Sequence, residues 1–175
     1  DGQRLELGER TRVMGVINVT PDSFSDAGRF PDPEAALAAA ARMAEAGADL
    51  IDVGGESTRP GSDPIPEAEE IRRGLPVIET IKRELAVRVS VDTTKASVAR
   101  RAHDAGADLV NDISAFRDPG MVAFLRDTRM PAVIMHMRGT PKTMQQDTHY
   151  VDLMSSILGL LRRAVEKAVN AGISD

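Results

Sequence analysis

Five short apolar runs, each followed by a longer stretch of helical periodicity, narrow the fold of this chain more than any other feature. Residues 12–17, 50–54, 87–92, 109–113 and 131–136 are rich in Val, Ile and Leu and have strand-like length. The intervening stretches carry helix signals. Asp32 is placed as an N-cap with Pro33 in the first turn, Leu37, Ala40, Ala41 and Ala44 share a stripe, and Gly47 ends the helix. Residues 66–85 form a second helical pattern, with Pro76 inside it as an expected kink. The last carries Met154, Ile157, Leu158, Leu161, Val165 and Ala168 on one face.

An internal echo ties these units together. Ala46-Gly-Ala-Asp-Leu-Ile-Asp52 recurs as Ala105-Gly-Ala-Asp-Leu-Val-Asn111, each time a helix-ending Gly leading into a strand. It starts a third time at Ala171-Gly172-Ile173, so a sixth strand is expected to follow. Repeated β-then-α units imply a parallel sheet with right-handed crossovers, either open and doubly wound or closed into a barrel. The regular units favour the barrel. So does the third strand, where Val87, Val89 and Val91 alternate with Arg88, Ser90 and Asp92, as when one face meets helices and the other lines an interior. The expected fold is therefore α/β, a parallel (β/α)8 TIM barrel. Such barrels need roughly 250 residues. The 175 present supply about five units of one domain over residues 1–175, incomplete at its C-terminal end.

Composition removes several classes of function. No apolar run reaches the ~20 residues of a membrane span. A net charge of −5, with 22 scattered Lys and Arg, argues against a nucleic-acid surface but leaves a small anionic ligand open. With no Cys there is neither a disulfide framework nor a thiolate site, and the start lacks a basic-then-apolar leader, so a cytoplasmic location is expected.

The segments after the first two strands, residues 19–32 and 55–65, exceed the roughly 2–6 residues usual for such loops. Both lie on the strand C-terminal face, where barrel enzymes place their chemistry. By alternation Asn18, Asp52, Asp92 and Asn111 point into one mouth, and carboxylates and carboxamides there suit the hydrogen-bonding edge of a nitrogen heterocycle. Each could instead satisfy backbone within the barrel. Gly54-Gly-Glu-Ser-Thr-Arg-Pro-Gly61 suits phosphate oxygens through backbone N–H groups and Arg59, although it is also ordinary turn chemistry. Asn18, Asp22 and Asp26 are hard oxygen donors of the kind Mg²⁺ takes, and a solvated loop would carry the same acids. Met135 and Met137 offer an adaptable wall for a flat ring or simple core filling. Of the histidines, His103 is expected at the surface of the third helix and His149 has no evident partner. His136 is expected at the end of strand five, facing the site as a structural or ligand-contacting group.

Val13-Met-Gly-Val-Ile-Asn-Val-Thr-Pro-Asp-Ser-Phe-Ser-Asp-Ala-Gly28 and Gly47-Ala-Asp-Leu-Ile-Asp-Val-Gly-Gly-Glu-Ser-Thr-Arg-Pro60 resemble the two signatures of dihydropteroate synthases. Val91-Asp-Thr93, Asn111-Asp-Ile113, Met135-His-Met137 and Gly139-Thr-Pro-Lys-Thr-Met144 are similar to the family as well. The resemblance implies a folate-pathway transferase that joins 6-hydroxymethyl-7,8-dihydropterin pyrophosphate to p-aminobenzoate. It implies that Asp92 and Asn111 hold the pterin edge, that Asn18 binds Mg²⁺ on the pyrophosphate, and that Thr58 contacts the pyrophosphate-bearing substrate. Phe24 and Pro60 would wall the p-aminobenzoate pocket, with Asp22, Asp26 and Arg59 ordering the two loops. It implies a homodimer too. Three further strands of the family's barrel would carry another pterin-binding Asp, a Lys, and an Arg and His. This chain alone is therefore expected to be inactive and to expose an apolar sheet edge. A methyltetrahydrofolate methyltransferase-like barrel and a non-catalytic pterin-binding paralogue are the competing expectations.

Overall fold

The computed structural model describes residues 6–20 and 32–173, so Asp22, Phe24 and Asp26 lie outside the described residues. The elements in chain order are β1 (Met14–Asn18), α1 (Pro33–Glu45), β2 (Leu50–Gly54), α2 (Glu67–Glu84), β3 (Arg88–Asp92), α3 (Ala96–Asp104), β4 (Leu109–Asp112), α4 (Pro119–Thr128), β5 (Ala132–Ile134) and α5 (Leu153–Asn170). All four strand pairings are parallel and the spatial order is β1-β2-β3-β4-β5. A doubly wound sheet reverses its strand order at a switch point. A purely sequential order is that of a β/α barrel, and these are five consecutive units of one.

Helix starts follow local chemistry. The Asp32 carboxylate accepts from the Glu34 N–H with Pro33 at the first helical position. Asp118 and Pro119 repeat the device at α4, a start the sequence reading did not single out. α2 runs for 18 residues without a break, with Pro76 inside it.

The internal echo proves to be a repeated joint. After α1, α3 and α5, Gly47, Gly106 and Gly172 adopt φ of 99°, 98° and 90°, and the following N–H reaches back to Met43 O, Ala102 O and Ala168 O. Three equivalent Schellman caps thus turn helix into strand entry. The Asp of the echo then clips the preceding strand. Val13 N–H donates to Asp49 Oδ2 and Val89 N–H to Asp108 Oδ2, each at 2.8–2.9 Å, while the Asp N–H donates back to the same residue's carbonyl. β1 starts at Met14, two residues later than expected. β5 is shorter than expected too: it pairs with β4 only over Ala132–Ile134, with Met135 N–H donating to Asp112 O at its end.

One sheet face packs on the helices. Ile17, Ile51, Val53, Val89, Val91 and Val110 meet Ala36 and Ala40 of α1, Ile78 and Ile81 of α2, Ala99 of α3 and Phe124 of α4 in a single buried core. The other face is concave and open at both edges, where Met14, Val16 and Val133 are 38, 49 and 42% exposed. The exposed apolar edge expected from the sequence is present. No described helix is long and apolar enough to cross a membrane.

Asp108→Ala would strand the Val89 N–H and release Lys82, which bonds the same carboxylate at 2.8 Å. Unfolding stability is expected to fall by about 1–2 kcal/mol, read by urea denaturation. An unchanged midpoint would show that the clip does not hold the strand.

Candidate functional site

Register decides which side chains share the concave face, since residues paired across parallel strands point the same way. One row is Asn18, Gly54, Asp92 and Asn111, and the row beneath is Val16, Asp52, Ser90 and Leu109. The four polar groups expected in the mouth are therefore together. Asn111 Nδ2 donates to Asp52 Oδ2 at 3.0 Å. Gly54 keeps the middle of the row low, because a Cβ there would stand 3.4 Å from Asp92 Oδ2 and 3.6 Å from Asn18 Oδ1.

The decisive detail is what these groups do not bond. Asp52 Oδ1, Ser90 Oγ, Asp92 Oδ1 and Asn111 Oδ1 are buried without a hydrogen-bond partner among the described residues. Ser90 stands close enough to Asp52 to favour its anion, yet its hydroxyl is not in hydrogen-bonding geometry. Buried polar atoms are ordinarily paired, so three acceptors and a hydroxyl converging on one concavity mark a place for a donor-rich ligand.

Charge reinforces this. Burial pushes the Asp52 carboxyl up, an effect Ser90 and Asn111 partly offset. Asp92 is pushed up to about 7, by burial first and then by the charges of Asp52, Glu70, Asp112 and Glu56. Asp112 itself is spent on the β4–α4 turn. It accepts from Ser114 N, Ser114 Oγ and Phe116 N at 2.6–2.9 Å, holding Ala115 and Phe116 at φ 54° and 64°.

The loop after β2 is rooted beside this row. Gly55 packs so closely on α2 that a Cβ would lie 2.7 Å from the Glu70 carbonyl oxygen. Glu56 Oε2 accepts from Ile65 N–H at 2.8 Å and Lys95 Nζ at 2.7 Å, and Ser62 Oγ donates to Ser57 O and Arg59 O. Thr58, Arg59 and Pro60 sit at the apex, the last two exposed. None of these three bonds Asp52, Asp92 or Asn111 among the described residues. The far side is tied to the segment after β5 through Gly61 N–H to Pro141 O at 2.9 Å and a Lys142–Asp63 ion pair.

The segment after β5 departs from expectation. His136 lies past the strand, its ring 6.0 Å from that of Tyr150, and lines a cavity of about 510 Å³ with Arg138, His149, Tyr150 and Arg163. That cavity contains none of the carboxylate row, which lies instead on the open concave face. Met137 is buried and Met135 half-buried, beside the β4 end. His103 is on α3 and partly exposed as expected, against the Phe124 ring at 6.0 Å. Among the described residues no three His, Cys, Asp or Glu side chains group as a metal site.

Comparison with known proteins gives the family. The profile of the pterin-binding enzyme family matches residues 14–175. The chain belongs to that family. Dihydropteroate synthase of Synechocystis sp. is 44% identical over 174 residues, 98% of this chain and 60% of the relative. A crystal structure of Yersinia pestis dihydropteroate synthase with a sulfonamide drug superposes with a TM-score of 0.91 at 46% identity, over 99% of this chain and 62% of that one. The Xanthomonas albilineans enzyme in complex with 7,8-dihydropteroate gives 0.81 at 42% identity, covering 95% and 58%. This chain thus spans about 60% of the length of the curated relatives it matches.

Two groups escaped sequence reading, Glu70 with Lys95, and Glu56. A signal for Glu70 existed. It falls on the stripe Glu70, Gly74, Val77, Ile78, Ile81 that α2 buries, and an acid at a core-facing position needs a partner.

Asp92 gives the pterin-binding fold a pH signature. Its folded value of about 7 exceeds the ordinary 3.8, so the native state keeps a proton that the unfolded chain loses. Stability from this group is full below pH ~4 and falls as pH rises to about 7. Asp92→Asn is therefore expected to be more stable than the parent at pH 8, by on the order of 1–3 kcal/mol, with the gap closing toward pH 4 in urea titrations. A pH-independent gap would mean Asp92 ionises normally.

Proposed function

We propose that this chain carries the pterin- and pyrophosphate-binding part of a dihydropteroate synthase. One observation supports it above the others: the unpaired buried acceptors of Asp52, Asp92 and Asn111 face one concavity. A dihydropterin presents an amino group and ring N–H donors along one edge, which such acceptors complement. Asp92 and Asn111 would hold that edge, Asp52 would brace Asn111 from below, and Met135 would lie along the ring. Thr58 would meet the pyrophosphate. Phe24 and Pro60 would wall p-aminobenzoate, with Asp22, Asp26 and Arg59 ordering the loops as the family resemblance implies.

In the reaction so inferred, the bond from the exocyclic methylene carbon to the pyrophosphate oxygen breaks and its electron pair leaves with pyrophosphate. The p-aminobenzoate nitrogen forms the new C–N bond and then loses a proton to solvent, giving 7,8-dihydropteroate. An aryl amine is already neutral at pH 7, so the residues need only bind, orient and stabilise charge. This suits a row holding carboxylates and amides but no histidine relay. Mg²⁺, when bound, neutralises the leaving group. The donor set fits it modestly: Asn18 Oδ1 is a hard oxygen at the row's edge, and Mg²⁺ takes one or two protein oxygens with water and phosphate completing the shell. A cytoplasmic homodimer completes the proposal.

Titration calorimetry on the complete gene product tests it. The pterin pyrophosphate is expected to bind more tightly with Mg²⁺, and p-aminobenzoate only once pyrophosphate is present. Asp92→Ala should weaken the pterin ligand at least about tenfold, as for a lost hydrogen bond to a charged group. Asn18→Ala should abolish only the Mg²⁺ dependence. Pterin binding indifferent to Asp92 would overturn the proposal. The 175-residue chain by itself is expected to show no turnover, and robust turnover would contradict the division of labour.

A further inference from the structure

Glu70 is 2% exposed, yet no part of the chemistry above uses it. Both its oxygens are taken: Thr93 Oγ1 donates to one at 2.5 Å and Lys95 Nζ to the other at 2.5 Å. The same Lys95 ammonium bonds Glu56 Oε2, the oxygen that also receives the Ile65 N–H and so ties the two ends of the 56–65 loop together. Thr93 follows Asp92 directly, and its N–H donates to Asn111 O at 3.1 Å. One cation therefore joins α2, the end of β3 and the base of the loop that carries Thr58, Arg59 and Pro60. The side-chain bonds of Thr93 and Lys95 run to α2 and the loop base, and none of them reaches the open acceptors of Asp52, Asp92 and Asn111.

Burying a carboxylate is costly without a partner. A single salt bridge between α2 and α3 would have met that need. Here Lys95 is shared with a loop residue, and Glu56 is the only acidic side chain of the 54–61 segment. Burial opposes the charge on Lys95, but its bonds to Glu56 and Glu70 outweigh that and keep it cationic. The adjoining Gly55, packed against the Glu70 carbonyl, leaves the loop root no freedom to drift.

We infer that Lys95 is a positioning residue: by holding Glu56 it closes the base of the 56–65 loop and sets where Thr58, Arg59 and Pro60 stand above the Asp92–Asn111 row. This rests on the pterin and pyrophosphate assignment under Proposed function. Its influence falls on the pyrophosphate end of the ligand and not on the ring, which the strand-borne acceptors hold independently.

Lys95→Met, Lys95→Arg and Glu56→Ala, made in the complete gene product, test this with two ligands, 6-hydroxymethyl-7,8-dihydropterin with and without its pyrophosphate. Lys95→Met and Glu56→Ala should each weaken the pyrophosphate form about tenfold, the scale of a small misplacement of binding groups, and leave the pyrophosphate-free pterin within about twofold. Lys95→Arg should restore most of the loss. Amide exchange of Ile65 should accelerate in both disruptive variants without any ligand. Equal weakening of both ligands, or unchanged Ile65 exchange, would overturn the inference. If Lys95→Met fails to fold because Glu70 is left unpaired, the pair Lys95→Met with Glu70→Gln, which removes the unpaired charge and leaves Glu56 in place, decides instead. If the parent protein binds neither ligand, the pterin assignment falls, and Ile65 exchange still decides whether Lys95 closes the loop.

Discussion

Everything in this molecule that could meet a ligand depends on the register of four parallel strands. The phase of β1 against β2, β3 and β4 puts Asn18, Gly54, Asp92 and Asn111 in one row and Asp52 with Ser90 directly beneath. A slip of one residue would send the acids into the helix-packed core and Val53, Val91 and Val110 into the mouth. The clips that Asp49 and Asp108 make to Val13 and Val89 sit at the opposite end of the same strands, where β1 and β3 begin. Structure at the closed end thus sets chemistry at the open one. Arg10 first, and then the Val13 N–H, hold the Asp49 carboxyl well below the usual carboxylate range, whereas Asp92 in the mouth is pushed up to about 7.

The mouth itself is electrostatically unfinished. Asp52, Asp92, Asp112, Glu56 and Glu70 crowd together, and Lys95 bonds two of them, Glu56 and Glu70. Two of the five are compensated by Lys95 and one by the β4–α4 turn. The remaining two, Asp52 and Asp92, hold raised pKa values and open lone pairs. Sites that bind tightly commonly sacrifice stability in this way, because a ligand donor replaces the missing partner. The same crowding would repel a free pyrophosphate from the row, and the proposed function accordingly gives phosphate recognition to the separate loop after β2.

How much of this could be read from residues alone follows from the range of each interaction. The five units, the cap of α1 and the repeated joint are local, written in Asp32-Pro33, Ala46-Gly47 and the Val alternation of β3, and they were legible. The convergence of Asn18, Asp52, Asp92 and Asn111 was legible too, since the period of two in a parallel strand fixes direction. Strand ends were not, because where a strand stops is set by its pairing with its neighbour, which no propensity encodes: β1 pairs with β2 from Met14, and β5 with β4 only to Ile134. His136 was misplaced for the same reason: β5 ends two residues earlier than its apolar run. The Glu56–Lys95–Glu70 link joins residues 25 and 39 apart, and only the Glu70 end left a trace, as an acid on a buried stripe.

The two kinds of site residue therefore differ in what supports them. Acceptors carried on strands inherit the rigidity of the sheet and stand ready before any ligand arrives. Thr58, Arg59 and Pro60 ride on a loop whose geometry is only as good as its ties, which are the Glu56 closure at the base, the Ser62 hydroxyl beneath Ser57 and Arg59, and Pro141 and Lys142 reaching across from beyond β5. The exposed Lys142–Asp63 pair contributes little on its own. The partly buried Lys95–Glu56 pair is screened far less. On the proposed function, the mouth admits a flat ring and then encloses its pyrophosphate tail, which needs both behaviours, and the division falls where strand gives way to loop, between Gly54 and Gly55.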